Sequence, residues 1–235
     1  MNVYFTEEWV KGFMIGVKID KVVFTKRTKY QHLAIYDTPQ LGRILTLDNV
    51  IQTTEKYEYL YHESIVHVPL FSHQNPEDVL IIGGGDGGTL REVLKHPEVK
   101  RAVMVDIDGD VVEASKQYLP LWNTGFSDPR AQVLIQDGIK FVAETDEKFD
   151  VVLVDSTDPE GPGLVLFTPE FYKNIAKILK PGGIMCAQTE SPLATPEMVR
   201  EIYQRIAKVF PVAKLFVAPV PSYPGSLWSF TCGSF

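Results

Sequence analysis

From residue 79 onward the chain repeats one pattern: a short apolar run, a break of glycine or acid, then a stretch of helical spacing. VLII (79–82) leads into GGGDGG (83–88) and a helix over 90–95. AVMVD (102–106) leads into a helix from about 110 to 118, and QVLI (132–135) into Asp137-Gly138 and a short helix. VVLV (151–154) leads through an irregular loop into a helix over 169–179, ended by Lys180-Pro181-Gly182-Gly183. IMCAQ (184–188) is a strand, 196–209 a helix stopping near Pro211, and KLFVA (214–218) and SLWSFTC (226–232) the last strands. Strands alternating with helices of this length predict a parallel sheet with helices on both faces.

Upstream the period differs. FMIGVKI, VVFTK, LAIYD, RILTLD and VIQTT lie within 13–54, with turn signals at Asp37-Thr38-Pro39 and Asp48-Asn49. They predict a small antiparallel sheet. Tyr57, Tyr61, Ile65 and Val68 then recur at helical spacing, and Pro69 closes that helix. The charge-rich EEWVK and ETDEK stretches read as solvated faces.

Composition excludes some partners. A net charge of −7 argues against nucleic acid and against an anionic membrane surface. Cys186 and Cys232 lie in apolar, strand-like runs, so free thiols in a reducing compartment are expected, with no CxxC or paired-His zinc spacing. MNVYFTEEWVKGF has early acids and no long apolar run, so neither a signal peptide nor a membrane span is expected at the start, and a cytoplasmic enzyme is the default.

The run FDVVLVDSTDPEGP carries the chemistry. An apolar strand gives way to Asp155 and Asp158 on a loop broken by Pro159, Gly161, Pro162 and Gly163. Ligands of open parallel sheets bind outside the carboxyl ends of the strands, and two anions there suit a cationic substrate, the lesser alternative being that both acids are loop caps. Gly83, Gly85 and Gly88 fit G-x-G-x-x-G, and Asp106 ends the next strand 20 residues after Asp86. Together these suggest an adenosine-containing ligand with ribose hydroxyls on Asp106; the alternative is a structural turn with a helix cap at Asp106 or Asp108. Asp86 would repel a pyrophosphate and welcome a cationic tail. S-adenosylmethionine still carries a tail carboxylate, a conflict that its decarboxylated form removes; alternatively Asp86 caps the following helix. Asp137 can accept from an adenine amino group beside a glycine that admits a flat ring, or cap a helix.

With GGGDGG followed by LREVLKHP, and with VDID, QDG, DSTDPEGP, LFTPEFY, AQTES and PSYPGSLWSFTCGS, the chain resembles the polyamine aminopropyltransferases, of which spermidine synthase is the nearest. KYQHL, LDNVIQTTE and YLYHESIVHVPLF extend the likeness over essentially the whole chain. The resemblance implies a Rossmann-like, methyltransferase-type, doubly wound and mostly parallel α/β sheet over 55–235, preceded by an antiparallel β-domain over 1–54. It also implies transfer of an aminopropyl group from decarboxylated S-adenosylmethionine to putrescine, giving spermidine and 5′-methylthioadenosine. The nucleoside is then a co-substrate, and no metal or other cofactor is expected. By the family's pattern Gln31, Asp106, Asp137, Gly138 and Pro162 hold the nucleoside, and Asp86 and Asp155 flank the aminopropyl amine. Tyr61, His62, Asp158, Gln188 and Tyr223 line the diamine groove, and the proton acceptor falls on Asp155. Asp158 or Glu190 is expected to anchor the far, protonated amine. A homodimer or homotetramer is expected by analogy.

The chain departs from the family in three places. Tyr57-Glu58 replaces Asp-Glu, Asp106 replaces a Glu found in many relatives, and the likeness ends at Phe235, where many relatives continue with a helical tail. The competing readings are a methyltransferase using intact S-adenosylmethionine, another amine acceptor such as agmatine or cadaverine, and a catalytically silent polyamine- or nucleoside-binding homologue. His32, His67, His73, His96, Trp9, Trp122 and Trp228 read as surface or packing residues.

Overall fold

The computed structural model describes residues 2–157 and 167–235. The chain begins with a hairpin, β1 (Val3–Val10) and β2 (Phe13–Ile19). A four-stranded antiparallel meander follows: β3 (Lys21–Arg27), β4 (His32–Thr38), β5 (Gly42–Leu47) and β6 (Val50–Thr54). Helix α1 (Glu58–Ser72) leads into a seven-stranded sheet. Its strands are β7 (Asp78–Gly83), β8 (Arg101–Asp106), β9 (Ala131–Ile135), β10 (Phe149–Asp155), β11 (Leu179–Gln188), β12 (Val212–Pro219) and β13 (Leu227–Ser234). Their order is β12-β13-β11-β10-β7-β8-β9, and β13 runs antiparallel to both its neighbours.

That order places the ligand-binding crevice. From β7 the chain moves outward through β8 to β9, then returns to lay β10 on the other side of β7. The topological switch point, where such sheets bind ligands, is therefore between the carboxyl ends of β7 and β10, where Gly83 pairs with Asp155. Each central strand is buried on both faces. Val79, Ile81 and Leu153 pack with Ile65, Leu90 and Val112 from α1, α2 (Gly88–Leu94) and α3 (Gly109–Tyr118). Leu80, Ile82 and Val152 pack with Val142, Phe171 and Ile202 from α4 (Gly138–Glu144), α5 (Pro169–Ile178) and α6 (Pro196–Ala207). The meander joins this body through Leu33, Ile35 and Leu45 packed on Val111, Ala114 and Trp122, which brings the start of β4 and the end of β5 over the switch point.

Four expectations need correction. The antiparallel region is two sheets, because EEWVK belongs to strand β1. Glu7 is buried there and accepts a hydrogen bond from the Ile51 N–H at 2.9 Å, so it is not a solvated charge. Helix α1 does not stop at Pro69. Pro69 and Leu70 are buried, and the chain makes a further turn bonded through the carbonyls of Val68, Pro69 and Leu70. Its buried face accordingly includes His62, Val66 and Pro69 beside Tyr61 and Ile65, and leaves Val68 exposed. Lys180-Pro181-Gly182-Gly183 ends α5 only by becoming an irregularity inside β11, where pairing jumps from Phe149–Leu179 to Val151–Ile184.

Candidate active site

A cavity of about 640 Å³ lies over the switch point. Its floor is the β7–α2 loop (Gly83 to Asp86), and its walls come from β5, β6, α1, the ends of β8 and β10, and the segment before β13. Gln31, Tyr61, His62, Asp86, Asp106, Asp137, Gly138, Asp155, Gln188 and Tyr223 all line it. Asp158 and Pro162 lie outside the described residues. Glu190 follows β11 but is buried and is not part of the cavity wall. Trp228, read as a packing residue, is buried and also lines the cavity, whereas none of the four histidines expected at the surface or in packing does.

Asp155 sits at the end of β10 with both carboxylate oxygens engaged. Oδ1 accepts from the Tyr61 hydroxyl at 2.7 Å and Oδ2 from the Thr89 hydroxyl at 2.6 Å. Burial, reinforced by the charge of Asp86, pushes the Asp155 carboxyl above the usual range, while His62 and the two hydroxyl donors pull the other way. The result is a carboxylate more basic than an exposed one, held in a fixed orientation. Burial and Asp155 push Tyr61 far above an ordinary phenol, so it remains a donor. Thr89 was not singled out from the sequence. The available signal was a hydroxyl residue in the first turn of the helix that GGGDGG opens.

The Gly-rich loop owes its last glycine to a side chain. A Cβ at Gly88 would lie 2.2 Å from Cε1 of His62, so the imidazole occupies the space that glycine leaves. Asp86 accepts from the Gly88 N–H at 2.7 Å, and its other oxygen faces His62 Nε2 at 3.3 Å across the cavity edge. The N-cap position of α2 is Gly87, so Asp86 braces the first turn from the residue before the cap and is not itself the cap. On the opposite side of the ring, His62 Nδ1 lies 2.5 Å from Glu58 Oε2, and Arg91 forks onto both Glu58 oxygens at 3.0 and 2.8 Å. Burial works to lower the His62 pKa, but the carboxylates of Asp86 and Glu58 outweigh it and raise it to about 10. Flanked by both carboxylates, His62 is held in its imidazolium form.

The other half of the cavity is lined by Gln31, Asp106, Asp137 and Gly138. Burial lifts Asp106 to about 6, against the pull of the Asp108 and Gly85 N–H groups. Asp108 is buried and caps α3. Its Oδ2 accepts from Thr28 Oγ1 at 2.7 Å and from Gln31 Nε2 at 3.1 Å. Since a carboxylate only accepts, the Gln31 amide must turn its NH₂ to Asp108 and leave its oxygen for another donor. Asp137 caps α4 through the Ile139 N–H, as one of its two sequence readings held. Gly138 is needed for packing: a Cβ there would lie 2.6 Å from Cγ2 of Ile82, so helix α4 could not seat on β7. At the far end Tyr61, Tyr223 and Trp228 form a chain of ring contacts at 5.7 and 4.9 Å, and Tyr223 donates to the Gln52 carbonyl of β6, tying the meander to the sheet. Gln188 donates to the Ser156 carbonyl at 3.2 Å, bridging the ends of β10 and β11.

A doubly wound, mostly parallel sheet of methyltransferase type, with an acid- and aromatic-lined cavity over its switch point, defines the fold class. The comparisons narrow that class. Residues 58–234 match the Spermine/spermidine synthase domain, and residues 3–55 match the Spermidine synthase tetramerisation domain. A polyamine aminopropyltransferase of Thermoanaerobacter sp. (strain X514) is 51% identical over all of this chain and 84% of its own length. That of Bacillus subtilis (strain 168) is 47% identical over 99% of this chain and 84% of its own length. A crystal structure of spermidine synthase in complex with the transition-state analogue AdoDATO superposes with a TM-score of 0.97 at 41% identity, covering 99% of this chain and 80% of that one. The Thermotoga maritima spermidine synthase gives 0.95 at 41% identity, covering 99% and 79%. The chain belongs to the spermine/spermidine synthase family, and aminopropyl transfer is the activity that family membership supports.

Proposed function

We propose that the protein transfers the aminopropyl group of decarboxylated S-adenosylmethionine to putrescine, releasing spermidine and 5′-methylthioadenosine. The observation that carries this reading is Asp155, a basic carboxylate at the switch point, oriented by Tyr61 and Thr89 and flanked by Asp86. The names of the relatives at 47–51% identity support aminopropyl transfer to an amine, the coarser part of this reading.

In this reading Gln31, Asp106, Asp137 and Gly138, with Pro162, hold the adenosine, and Asp86 takes the ammonium of the aminopropyl tail. The acceptor diamine lies along Tyr61, Tyr223, Trp228 and Gln188, with Asp158 anchoring its far ammonium. Amines of this kind have pKa values comparable to that of Lys, about 10.4, so the attacking nitrogen must shed a proton. Asp155 accepts it. The nitrogen lone pair forms the new N–C bond, the C–S bond breaks, and its electron pair returns to sulfur to give a neutral thioether. The sulfonium is already a good leaving group, so the chain has only to align, desolvate and deprotonate. Alignment supplies most of the rate, and general-base assistance typically adds about 10²–10⁴-fold. No step calls for a metal or other cofactor.

The tetramerisation-domain match supports an oligomer, which we take to be a homodimer or homotetramer acting in the cytoplasm. None of the helices among the described residues is long and apolar enough to cross a membrane. The test is to mix protein, donor and one of putrescine, agmatine, cadaverine or spermidine, and to measure methylthioadenosine. Turnover fastest with putrescine is expected. Release with none of the four contradicts the reading, and tighter equilibrium binding of the carboxylated nucleoside than of the decarboxylated one favours a methyltransferase instead.

A further inference from the structure

His62 has carboxylates on both ring nitrogens: Glu58 at 2.5 Å from Nδ1 and Asp86 at 3.3 Å from Nε2. Ionised carboxylates only accept, so both nitrogens must carry hydrogen. The ring is 2% exposed and is fixed by the edge of Tyr61, 5.4 Å away, and by the space over Gly88. Behind it Arg91 grips Glu58 through two nitrogens, so charges alternate from Arg91 through Glu58 and His62 to Asp86. Glu58 and Arg91 do not line the cavity; only the last two members reach it.

We propose that His62 is a permanent positive charge, held by Glu58 and Arg91 as positioning residues, that lowers the proton affinity of the attacking amine. This rests on aminopropyl transfer as proposed above. The groups facing His62 are Glu58 on its own helix, Asp86 on the Gly-rich loop, Asp155 at the end of β10 and the un-ionised phenol of Tyr61, with Arg91 reaching it through Glu58. Among these, the two carboxylates that share the reacting end, Asp86 and Asp155, already have the imidazolium against them. The donor's tail ammonium balances the second, and its sulfonium adds a further positive charge. A protonated attacking nitrogen would be a surplus cation in a poorly solvated site, so the diamine is pressed to surrender that proton to Asp155 before the new bond forms. Without the imidazolium one positive charge fewer would oppose the protonated nitrogen, and the site would hold it more readily.

The test pairs two readouts on the full chain. Nitrogen-15 NMR of the histidines should show His62 doubly protonated through pH 8.5 in the unaltered protein, and E58Q should bring its titration down by at least one pH unit. In kinetics with saturating donor and putrescine, H62Q should move the rise of kcat with pH about one unit higher, roughly tenfold slower at pH 7.5 and converging on the unaltered enzyme at higher pH, with KM for the amine not raised. Loss by the same factor at every pH, an unmoved profile, or a neutral His62 at pH 7 overturns the inference. No transfer by the unaltered protein with any amine overturns this inference together with the functional reading, whereas an active enzyme with an unmoved profile overturns this inference alone.

Discussion

Thr89 and Asp155 lie 66 residues apart in the chain, and the Thr89 hydroxyl donates to Asp155 Oδ2 at 2.6 Å. Tyr61 donates to the other oxygen from a third element, helix α1. The candidate base is thus clamped from two sides, which leaves it one geometry in which to meet an amine.

Removing either clamp should change the pH dependence of turnover. Both hydroxyls favour the charged form of Asp155, so Thr89→Val or Tyr61→Phe should raise its pKa further. The base would then be protonated, and inactive, over a wider acidic range. The acid limb of kcat against pH should move upward in each variant, with turnover at its optimum down about tenfold from the loss of orientation.

Gly88→Ala should be costly because the new Cβ would fall 2.2 Å from the His62 ring, which is boxed in by Glu58 and Asp86. Overpacking of this kind destabilises by about 1–3 kcal/mol. Urea denaturation should show that loss. Gly12→Ala, in the exposed β1–β2 turn where nothing lies within 4 Å, should cost less, although its φ of +84° adds some strain.

Asp108→Ala removes the cap of α3 and frees Thr28 and Gln31 together. Loss of a cap typically costs roughly 0.5–2 kcal/mol. Beyond that, the Gln31 amide loses the acceptor that sets its direction. KM for the nucleoside donor should rise several-fold while KM for the amine stays constant, and Asp108→Asn, which still caps, should recover stability more than donor affinity.

Donor binding should weaken as pH falls through about 6, where Asp106 takes up a proton and can no longer offer two acceptor oxygens to ribose. The sign for the unliganded fold is opposite. A carboxyl raised from 3.8 to about 6 contributes stability below 3.8 and loses that contribution as pH rises through 6. Methylthioadenosine titrated into the protein at pH 5 and pH 7.5 checks the binding half, and thermal denaturation without ligand checks the other.

Much of this was legible in the sequence because it depends on local pattern. The apolar runs ending at Gly83, Asp106 and Asp155 mark strand ends, and their order with the intervening helices predicts a shared crevice. Residues that act through partners distant in the chain were not legible. Thr89 needs Asp155, Arg91 needs Glu58 some 33 residues earlier, and Asp108 needs Thr28 and Gln31 about 80 residues earlier. No periodicity reports such pairings. Charge misled in the same way: Glu7 reads as solvated until the Ile51 N–H is laid against it, and the charge of His62 has no local signal, because it is set by Glu58 and Asp86 closing on both its nitrogens. Pro69 shows the converse, a local stop signal overridden by burial of its own ring and of Leu70.

Asp155→Asn is the most direct test of the account, because the amide keeps the shape of the side chain and loses its capacity to take a proton. Turnover with putrescine and the affinity for methylthioadenosine should be measured side by side on this variant. The account predicts turnover lower by about 10²-fold or more, with nucleoside affinity changed by no more than a few-fold. Turnover equal to that of the unaltered protein would contradict it.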